Sequence, residues 1–486
     1  MYYQTYDTAC VPKTWNISDD LGQIEYIFSD KTGTLTQNVM EFQKCSIHGV
    51  AYGEGITEAQ RGSATRDGRA NELDPKEIET KLAKLKSDMI TIMERSFKNR
   101  YLQRDKVTLI SPRLAEDMVN REGEQREHIA AFFRALAICH SVLPDRPDSQ
   151  NEPWKVMYKA ESPDEAALVA AARDVGFPFI ARTKDGIDVE VMGQMERFVP
   201  LKVLEFNSTR KRMSVIARRP DGKVVLFCKG ADSVIYARLR EDHDPWVKEQ
   251  TSKDMEMFAN NGLRTLCIAS REMGEDEFLV WSRIYDAATS VLENRDEEIE
   301  KACQMVERDL EILGATALED KLQEGVPDAI EMLHRAGIKL WILTGDKLQT
   351  AIEIGYSCNL LKGDMDVMIL SADSPEETRS QIEGGLNKIA SVLGPPQVGA
   401  KRPKKEERGF VVGARASFAV VIDGDTLTHA LTPELKPLFL SLGTQCETVV
   451  CCRVSPAQKA LTVKLVSFRR FFGSNVDGRI LVGQGR

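Results

Sequence analysis

The sequence has no run of about 18 apolar residues, the length that a membrane-spanning helix needs. Its nearest approach, GFVVGARASFAVVIDG at 409–424, is broken by Arg415, so its two halves are expected as buried strands and the chain as written is expected to be soluble. Paired cysteine spacing is missing as well. The 10 cysteines are scattered, Cys451 and Cys452 are adjacent, no CxxC occurs, and no His/Cys cluster has zinc-ligand spacing. Reduced thiols therefore fit better than a disulfide framework, and no secretory leader pattern opens the chain. A basic excess is absent too. With 65 Lys+Arg against 74 Asp+Glu the net charge is −9, which gives no reason to expect a nucleic-acid partner. A local basic pocket for an anionic ligand remains compatible with that balance. No internal repeat is found.

What is present is a globular composition, 42% hydrophobic and 29% charged, over a length that predicts about two or three domains. Short apolar runs stop at polar residues: IEYIF (24–28) leading to Asp30, ILGATAL (312–318), GIKLWILTGD (337–346) and ASFAVVIDGD (416–425). Helix-like stretches lie at 324–336, 347–360 and 456–466. Buried strands alternating with helices predict an α/β fold with a parallel sheet and crossover helices. Ligands of such sheets bind at the carboxyl ends of the strands, where Asp30 and the Thr344-Gly345-Asp346 turn both fall.

The middle of the chain reads differently. Residues 197–235 alternate apolar and polar positions around Pro220-Asp221-Gly222, which predicts an antiparallel hairpin. Residues 156–177 run from a strand into a helix with Ser162 as N-cap, Pro163 at the first helical position and Asp164 and Glu165 in the first turn. The expected organisation is an α/β domain made of 1–40 and 312–486, with an α+β domain built on an antiparallel sheet inserted at 41–311. Within the insert, 57–127 is charged and weakly patterned, with an amphipathic helix expected over 74–97. The Pro/Gly- and charge-rich 393–409 is expected as a mobile loop.

The chemistry concentrates in DKTGTLT, 30–36. A carboxylate can attack a phosphoryl group and form an acyl phosphate, provided that Mg²⁺ and a lysine neutralise the charge. Gly33 permits a tight turn, and Thr34 can offer a hydroxyl and an N–H to phosphate oxygens. A lone Asp at a strand end is most often only a loop residue; a seven-residue string is far more specific.

DKTGTLTQN (30–38) resembles the phosphorylation motif of the P-type ATPases, and KGA (229–231), GLRTL (262–266), TGDK (344–347) and RVSPAQKA (453–460) follow in the same order. SPDEAALV (162–169), EFNSTRKRMSV (205–215) and CCRVSPAQKA (451–460) resemble the P4 class, the phospholipid flippases, rather than the cation pumps. The stretch 2–30 resembles the segment leaving the fourth transmembrane helix of such an enzyme, and the insert after YGEGITEAQRG is fungal-like. The resemblance implies a haloacid-dehalogenase-type phosphorylation domain carrying an inserted nucleotide-binding domain. It implies that Asp30 takes the γ-phosphoryl of ATP, flanked by Lys31 and Thr32, with Asp30 and the Thr32 carbonyl as Mg²⁺ ligands. Thr344, Gly345 and Asp346 would hold phosphate, Lys459 would balance its charge and Arg453 would face the nucleotide. Phe206 would stack on adenine, surrounded by Glu165, Ser208, Lys211, Lys229 and Arg264.

Thr32 stands where rapidly hydrolysing relatives of this fold carry a second Asp as general acid/base. A persistent aspartyl phosphate, hence a pump cycle, is expected. The implied parent is a multi-pass protein of the plasma membrane, Golgi or endosome that takes phospholipid and an accessory subunit as partners, with this portion cytosolic. Two alternatives stay open: an ATP-binding module without phosphorylation, and a soluble phosphatase of the same superfamily. The sequence also departs from the family. The family's membrane helices and the DGET-like actuator loop are absent. After residue 466 it reads SFRRFFGSNVDGRILVGQGR where a GDGxND motif would stand, so neither Asp477 nor Asp423 is given a metal role. The expectation is a C-terminally truncated chain lacking the last strand of its sheet, with an exposed edge.

Overall fold

The computed structural model describes residues 2–3, 7–9, 11, 22–67, 75–146, 151–207, 209–291, 294–393, 417–467 and 479–483. They divide into two compact units, Met1–Gln37 with Glu58–Ala70 and Leu322–Arg486, and Asn38–Thr57 with Asn71–Lys321.

The first unit is built on a six-stranded parallel sheet in the order Met365–Leu370, Ser417–Asp423, Thr448–Cys452, Lys339–Leu343, Ile24–Asp30, Arg479–Gly483. Its central strands are apolar at successive positions because both faces are covered. In Lys339–Leu343, Trp341 and Leu343 pack on one side with Phe439, Ile382 and Leu465, whereas Leu340 and Ile342 pack on the other with Ile330, Ala351 and Ile352. Helices Val326–Arg335 and Leu348–Ser357 therefore cover one face, and helices Pro375–Leu393, Lys436–Gln445 and Pro456–Ser467 the other. The expected α/β architecture and its three helical stretches are found.

Two expectations about this sheet are corrected. Residues 312–318 are not a parallel strand; they belong to Glu311–Leu322, in the nine-stranded sheet of the other unit. An apolar run reports burial, not the direction of its neighbours. Nor is the sheet edge beside Ile24–Asp30 bare, since Arg479–Gly483 pairs with it in parallel, Gly483 opposite Ser29. Asp477, Ser208, the loop at 394–409 and the first half of the 409–424 stretch lie outside the described residues.

The second unit is an antiparallel sheet of nine strands, ordered Val50–Tyr52, Thr36–Ile47, Glu311–Leu322, Arg264–Met273, Val224–Gly230, Arg212–Arg218, Gln194–Leu204, Ile187–Val191, Phe179–Arg182. The hairpin expected at Pro220-Asp221-Gly222 joins Arg212–Arg218 to Val224–Gly230, with Gly222 at φ 87°. The helix expected over 74–97 spans Pro75–Ser96 and buries Met89, Ile90 and Met93. Helix Pro163–Val175 begins at Ser162 as expected, but the Ser162 side chain makes no capping bond. The nine described cysteines are all buried and free. No helix among the described residues is long and apolar enough to cross a membrane.

Helix Glu58–Arg66 gives no apolar signal in the sequence, yet it packs on helix Leu348–Ser357 within the first unit. Small residues make this possible: Ala59 and Ala64 are buried, and a Cβ on Gly62 would fall 2.1 Å from the Glu353 carbonyl oxygen. Gly62→Ala is expected to push the two helices apart at a cost of about 1–3 kcal/mol. Faster hydrogen exchange over 348–357 than in the parent chain is the expected reading; unchanged exchange there would sink the prediction.

Candidate functional site

In the first unit, Asp30 is the last residue of its strand and lies in register with Leu343 of the neighbouring strand. Both strands end at the same rim, so Asp30 and Thr344 are brought together by sheet register rather than by sequence. The chain then makes one wide turn, Lys31–Leu35, broken by extended Thr32 (φ −71°, ψ 125°) and left-handed Gly33 (φ 76°). Gly33 is needed here because a side chain at that φ is strained. Its N–H donates to Thr36 Oγ1 at 3.0 Å, which closes the turn.

Two ammonium groups serve this rim in different ways. Lys459, on helix Pro456–Ser467, donates to Asp30 Oδ2 at 2.7 Å. Lys31 is buried and pairs with Asp346 Oδ2 at 2.8 Å. Lys31 thus ties Asp30's own turn to the Thr344-Gly345-Asp346 turn, and Lys459 is the cation on the Asp30 carboxylate. The second turn is held by backbone bonds: Thr344 N–H to Cys451 O, Arg453 N–H to Asp346 O and Val454 N–H to Thr344 O. Arg453 takes a left-handed φ of 53° to do so, and its side chain is exposed.

Two details at the rim have no use within the fold. Thr34 Oγ1 is buried and has no hydrogen-bond partner among the described residues, an arrangement that costs about 1–3 kcal/mol when left unmet. Gly345 is exposed, and a Cβ there would meet nothing within 4 Å, so neither packing nor a positive φ calls for glycine. An anion with several oxygens seated at this rim would use both the hydroxyl and the open space. For a cation, no group of three His, Cys, Asp or Glu comes together among the described residues. The Asp30 carboxylate and the Thr32 carbonyl are hard oxygen donors, and that pair suits a Mg²⁺ that takes its remaining ligands from phosphate and water. The paired edge strand Arg479–Gly483 brings no carboxylate in its five residues.

The remaining candidates lie in the second unit. Lys229, on strand Val224–Gly230, pairs with Glu165 Oε1 at 2.5 Å. The other oxygen, Oε2, accepts from Ser141 Oγ at 2.6 Å and from Ser141 N–H at 3.2 Å. Burial by itself would raise the Glu165 carboxyl; Lys229 and Ser141 outweigh it and hold the group below its ordinary value. Arg264 Nη1 donates to both oxygens of Asp164, at 3.1 and 2.9 Å, so this guanidinium rests on the first turn of the same helix that carries Glu165. Phe206 is 63% exposed, in the loop between Gln194–Leu204 and Arg212–Arg218. That exposure excludes a core role for it and leaves a bare aromatic face. Lys211 closes the same loop, exposed, at φ 52°.

Residues 128–325 match the family described as P-type ATPase, cytoplasmic domain N. The chain is 48% identical, over 96% of its length, to the phospholipid-transporting ATPase DNF1 of Chaetomium thermophilum, covering 30% of that protein. It is 47% identical over 96% of its length to the phospholipid-transporting ATPase dnf2 of Schizosaccharomyces pombe, covering 33% of it. It is 41% identical, again over 96%, to phospholipid-transporting ATPase 10 of Arabidopsis thaliana, covering 38% of it. Residues 128–325 carry the cytoplasmic N domain of a P-type ATPase. Over 96% of its length the chain is similar to phospholipid-transporting ATPases, and it spans about a third of the length of those it matches.

Several residues that bear on the site carry no mark in the sequence. Ser141 holds Glu165, and His140 before it is fully buried, with Nε2 at 2.9 Å from Ala137 O and Nδ1 accepting from Val142 N–H at 3.1 Å. Arg210 and Arg212 are buried against Glu307, which is itself fully buried. The i, i+2 spacing of Arg210, Arg212 and Ser214, running from the loop into the strand Arg212–Arg218, was the available signal; a basic run on its own reads as solvated.

Proposed function

We propose that the chain supplies the phosphorylated and nucleotide-holding parts of an ATP-driven phospholipid transporter, and that Asp30 carries the aspartyl phosphate. The observation that carries this reading is the placing of Asp30. It ends a buried parallel strand, with an ammonium group on its carboxylate and an unmet threonine hydroxyl in the turn that follows. The names of the relatives supply the transported substrate.

In the proposed step an Asp30 carboxylate oxygen attacks the γ-phosphorus of ATP. The bond from that phosphorus to the β–γ bridging oxygen breaks, and ADP leaves with its electron pair. Lys459 offsets the negative charge where nucleophile and phosphoryl group meet. The Thr34 hydroxyl and the Thr344-Gly345-Asp346 turn receive the phosphoryl oxygens, while the Lys31–Asp346 pair keeps the two turns in place. A Mg²⁺ bound by the Asp30 carboxylate and the Thr32 carbonyl would neutralise phosphate charge. Phe206 stacks on the adenine, with Glu165, Lys211, Lys229 and Arg264 of the same unit around the nucleotide. Thr32 supplies no general base, so the acyl phosphate persists until another part of the whole protein acts on it. Membrane residence, phospholipid binding and an accessory subunit belong to that whole protein.

A second reading, ATP binding without phosphorylation, is favoured by the absence of a three-carboxylate cluster among the described residues. Incubation with γ-³²P-ATP and Mg²⁺ separates the two. The expected result is an acid-stable, hydroxylamine-sensitive label on the folded chain that disappears in Asp30→Asn. Equal label in both, or none in a folded chain that binds ATP, would rule out phosphorylation at Asp30.

A further inference from the structure

Glu307 follows helix Arg295–Val306 and is completely buried. A carboxylate in that position is tolerated only when paired and hydrogen-bonded. Its Oε1 accepts from Arg210 Nη2 and from Ser214 Oγ, each at 2.5 Å, and its Oε2 accepts from Arg212 Nε at 2.7 Å. Glu300, two helical turns earlier, takes Arg212 Nη2 at 2.9 Å and pairs with Arg210 Nε at 2.9 Å. Two guanidinium groups, 5% and 2% exposed, are thus matched by two carboxylates of the same unit, Glu307 fully buried and Glu300 half-buried.

The same arginines continue outward into the loop that carries Phe206. Arg210 Nη1 donates to Glu205 O at 3.0 Å, and Arg210 N–H donates to Asn207 Oδ1 at 2.7 Å. Arg212 Nη1 donates to Arg210 O at 3.2 Å. The far end of the loop is held by Lys211 N–H to Asn207 O and by Ala231 N–H to Lys211 O. A cluster whose whole purpose was core stability would have no need to grip the carbonyl next to an exposed aromatic.

We propose that Glu307 and Arg210 are positioning residues for base stacking, with Arg210 as the bracket that sets the orientation of Phe206 and Glu307 as the anchor that fixes Arg210. This rests on the reading of Phe206 as the adenine platform. An exposed aromatic on an irregular loop visits many orientations, and ordering it on binding subtracts from affinity. A loop ordered beforehand by buried charge-assisted bonds avoids that loss. The preference so created is for the base, not for the phosphates. The site therefore favours ligands with a flat heterocycle, and the bracket contributes nothing to a bare polyphosphate.

The test is calorimetric titration of the full chain with ATP, adenosine and inorganic tripolyphosphate. In Arg210→Met, Glu307 keeps Arg212 and Ser214 as partners. Affinity for ATP and adenosine is expected to fall about tenfold, the scale of one base–aromatic stack, while tripolyphosphate binding stays unchanged. Arg210→Lys retains the buried charge balance, and hence the fold, but lacks the fork that reaches Glu205; the same base-selective loss is expected. Phe206→Ala should lose as much, and the double variant Phe206→Ala/Arg210→Lys no more than Phe206→Ala alone, because the two act through one contact. Losses that add, or a loss shared equally by tripolyphosphate, would reduce the cluster to a structural role. If the parent chain binds ATP and both Arg210 variants bind it equally well, the bracket is wrong and the nucleotide reading stands. If the folded parent chain binds no ATP, both fall together.

Discussion

Lys459→Met is expected to slow phosphorylation of Asp30 by roughly 10²-fold while leaving the fold intact. The two effects separate because the same ion pair acts in two settings. In the resting chain the pair lies at 2.7 Å with side chains 26% and 33% exposed, so solvent screens it. Pairs of that kind contribute about 0–1 kcal/mol to stability. During attack the setting changes. An anionic nucleophile approaches an anionic phosphoryl group, water is displaced, and the ammonium faces the charge that develops between them. Loss of one preorganised donor at such a point typically costs about 10²–10³ in rate, and partial exposure argues for the lower end. Lys31 cannot substitute, since it is buried and engaged with Asp346. Rapid-quench labelling with γ-³²P-ATP at saturating nucleotide reads the rate, and a thermal melt reads the fold. Labelling at the parental rate in a folded Lys459→Met chain would remove Lys459 from the step. Lys459→Arg is expected to fall between, keeping the charge but not the compact ammonium.

The reach of sequence reasoning here followed the range of the physical signal. Asp30 and the Thr344 turn were legible because an apolar run that stops at a polar residue is local, and sheet register then brings the two strand ends together. The hairpin at Gly222 was legible for the same reason: turn chemistry sits within a few residues. Strand direction was not legible at 312–318, because burial makes parallel and antiparallel inner strands look alike. The packing of helix 58–66 was hidden because small residues, not large apolar ones, make its contact surface. Glu307 was hidden because its partners Arg210 and Arg212 are 97 and 95 residues away, and a lone Glu after an acidic helix carries no mark of burial. Phe206 illustrates the converse. An aromatic beside a strand is more often a packing residue than a ligand contact, and only the 63% exposure of Phe206 separates a packing side chain from a binding face.

Acid is expected to weaken the second unit through His140. The ring lies fully buried in the turn after helix Gln125–Ile138, edge-on to Phe179 at 4.6 Å. Nδ1 accepts from the Val142 N–H, which can only donate, so the ring proton is on Nε2 and points to Ala137 O. A second proton would have to replace the Val142 bond and place a cation beside Lys229 and Arg182. Burial, then those two neighbours, push the His140 pKa down to about 3, against the opposing pull of Ala137 O and Glu165. An unfolded histidine titrates near 6.5. Between those values the unfolded chain binds a proton that the folded chain refuses, so stability falls as pH falls, by up to about 1.4 kcal/mol per pH unit. Between pH 6.5 and 4.5 this amounts to roughly 2–3 kcal/mol. His128 and His243 in the same unit are also lowered, chiefly by burial, and add slopes of the same sign, so the difference between parent and His140→Gln is the quantity to measure. Hydrogen exchange over 137–142 in graded urea at several pH values provides it. The expected outcome is a parent curve that falls towards pH 4.5 and a variant curve that falls less steeply; parallel curves would remove His140 as the source. Because Ser141 holds Glu165 through both its N–H and its hydroxyl, loss of this turn also releases the carboxylate that pairs with Lys229. ATP affinity should therefore decline over the same pH interval in the parent and more shallowly in the variant.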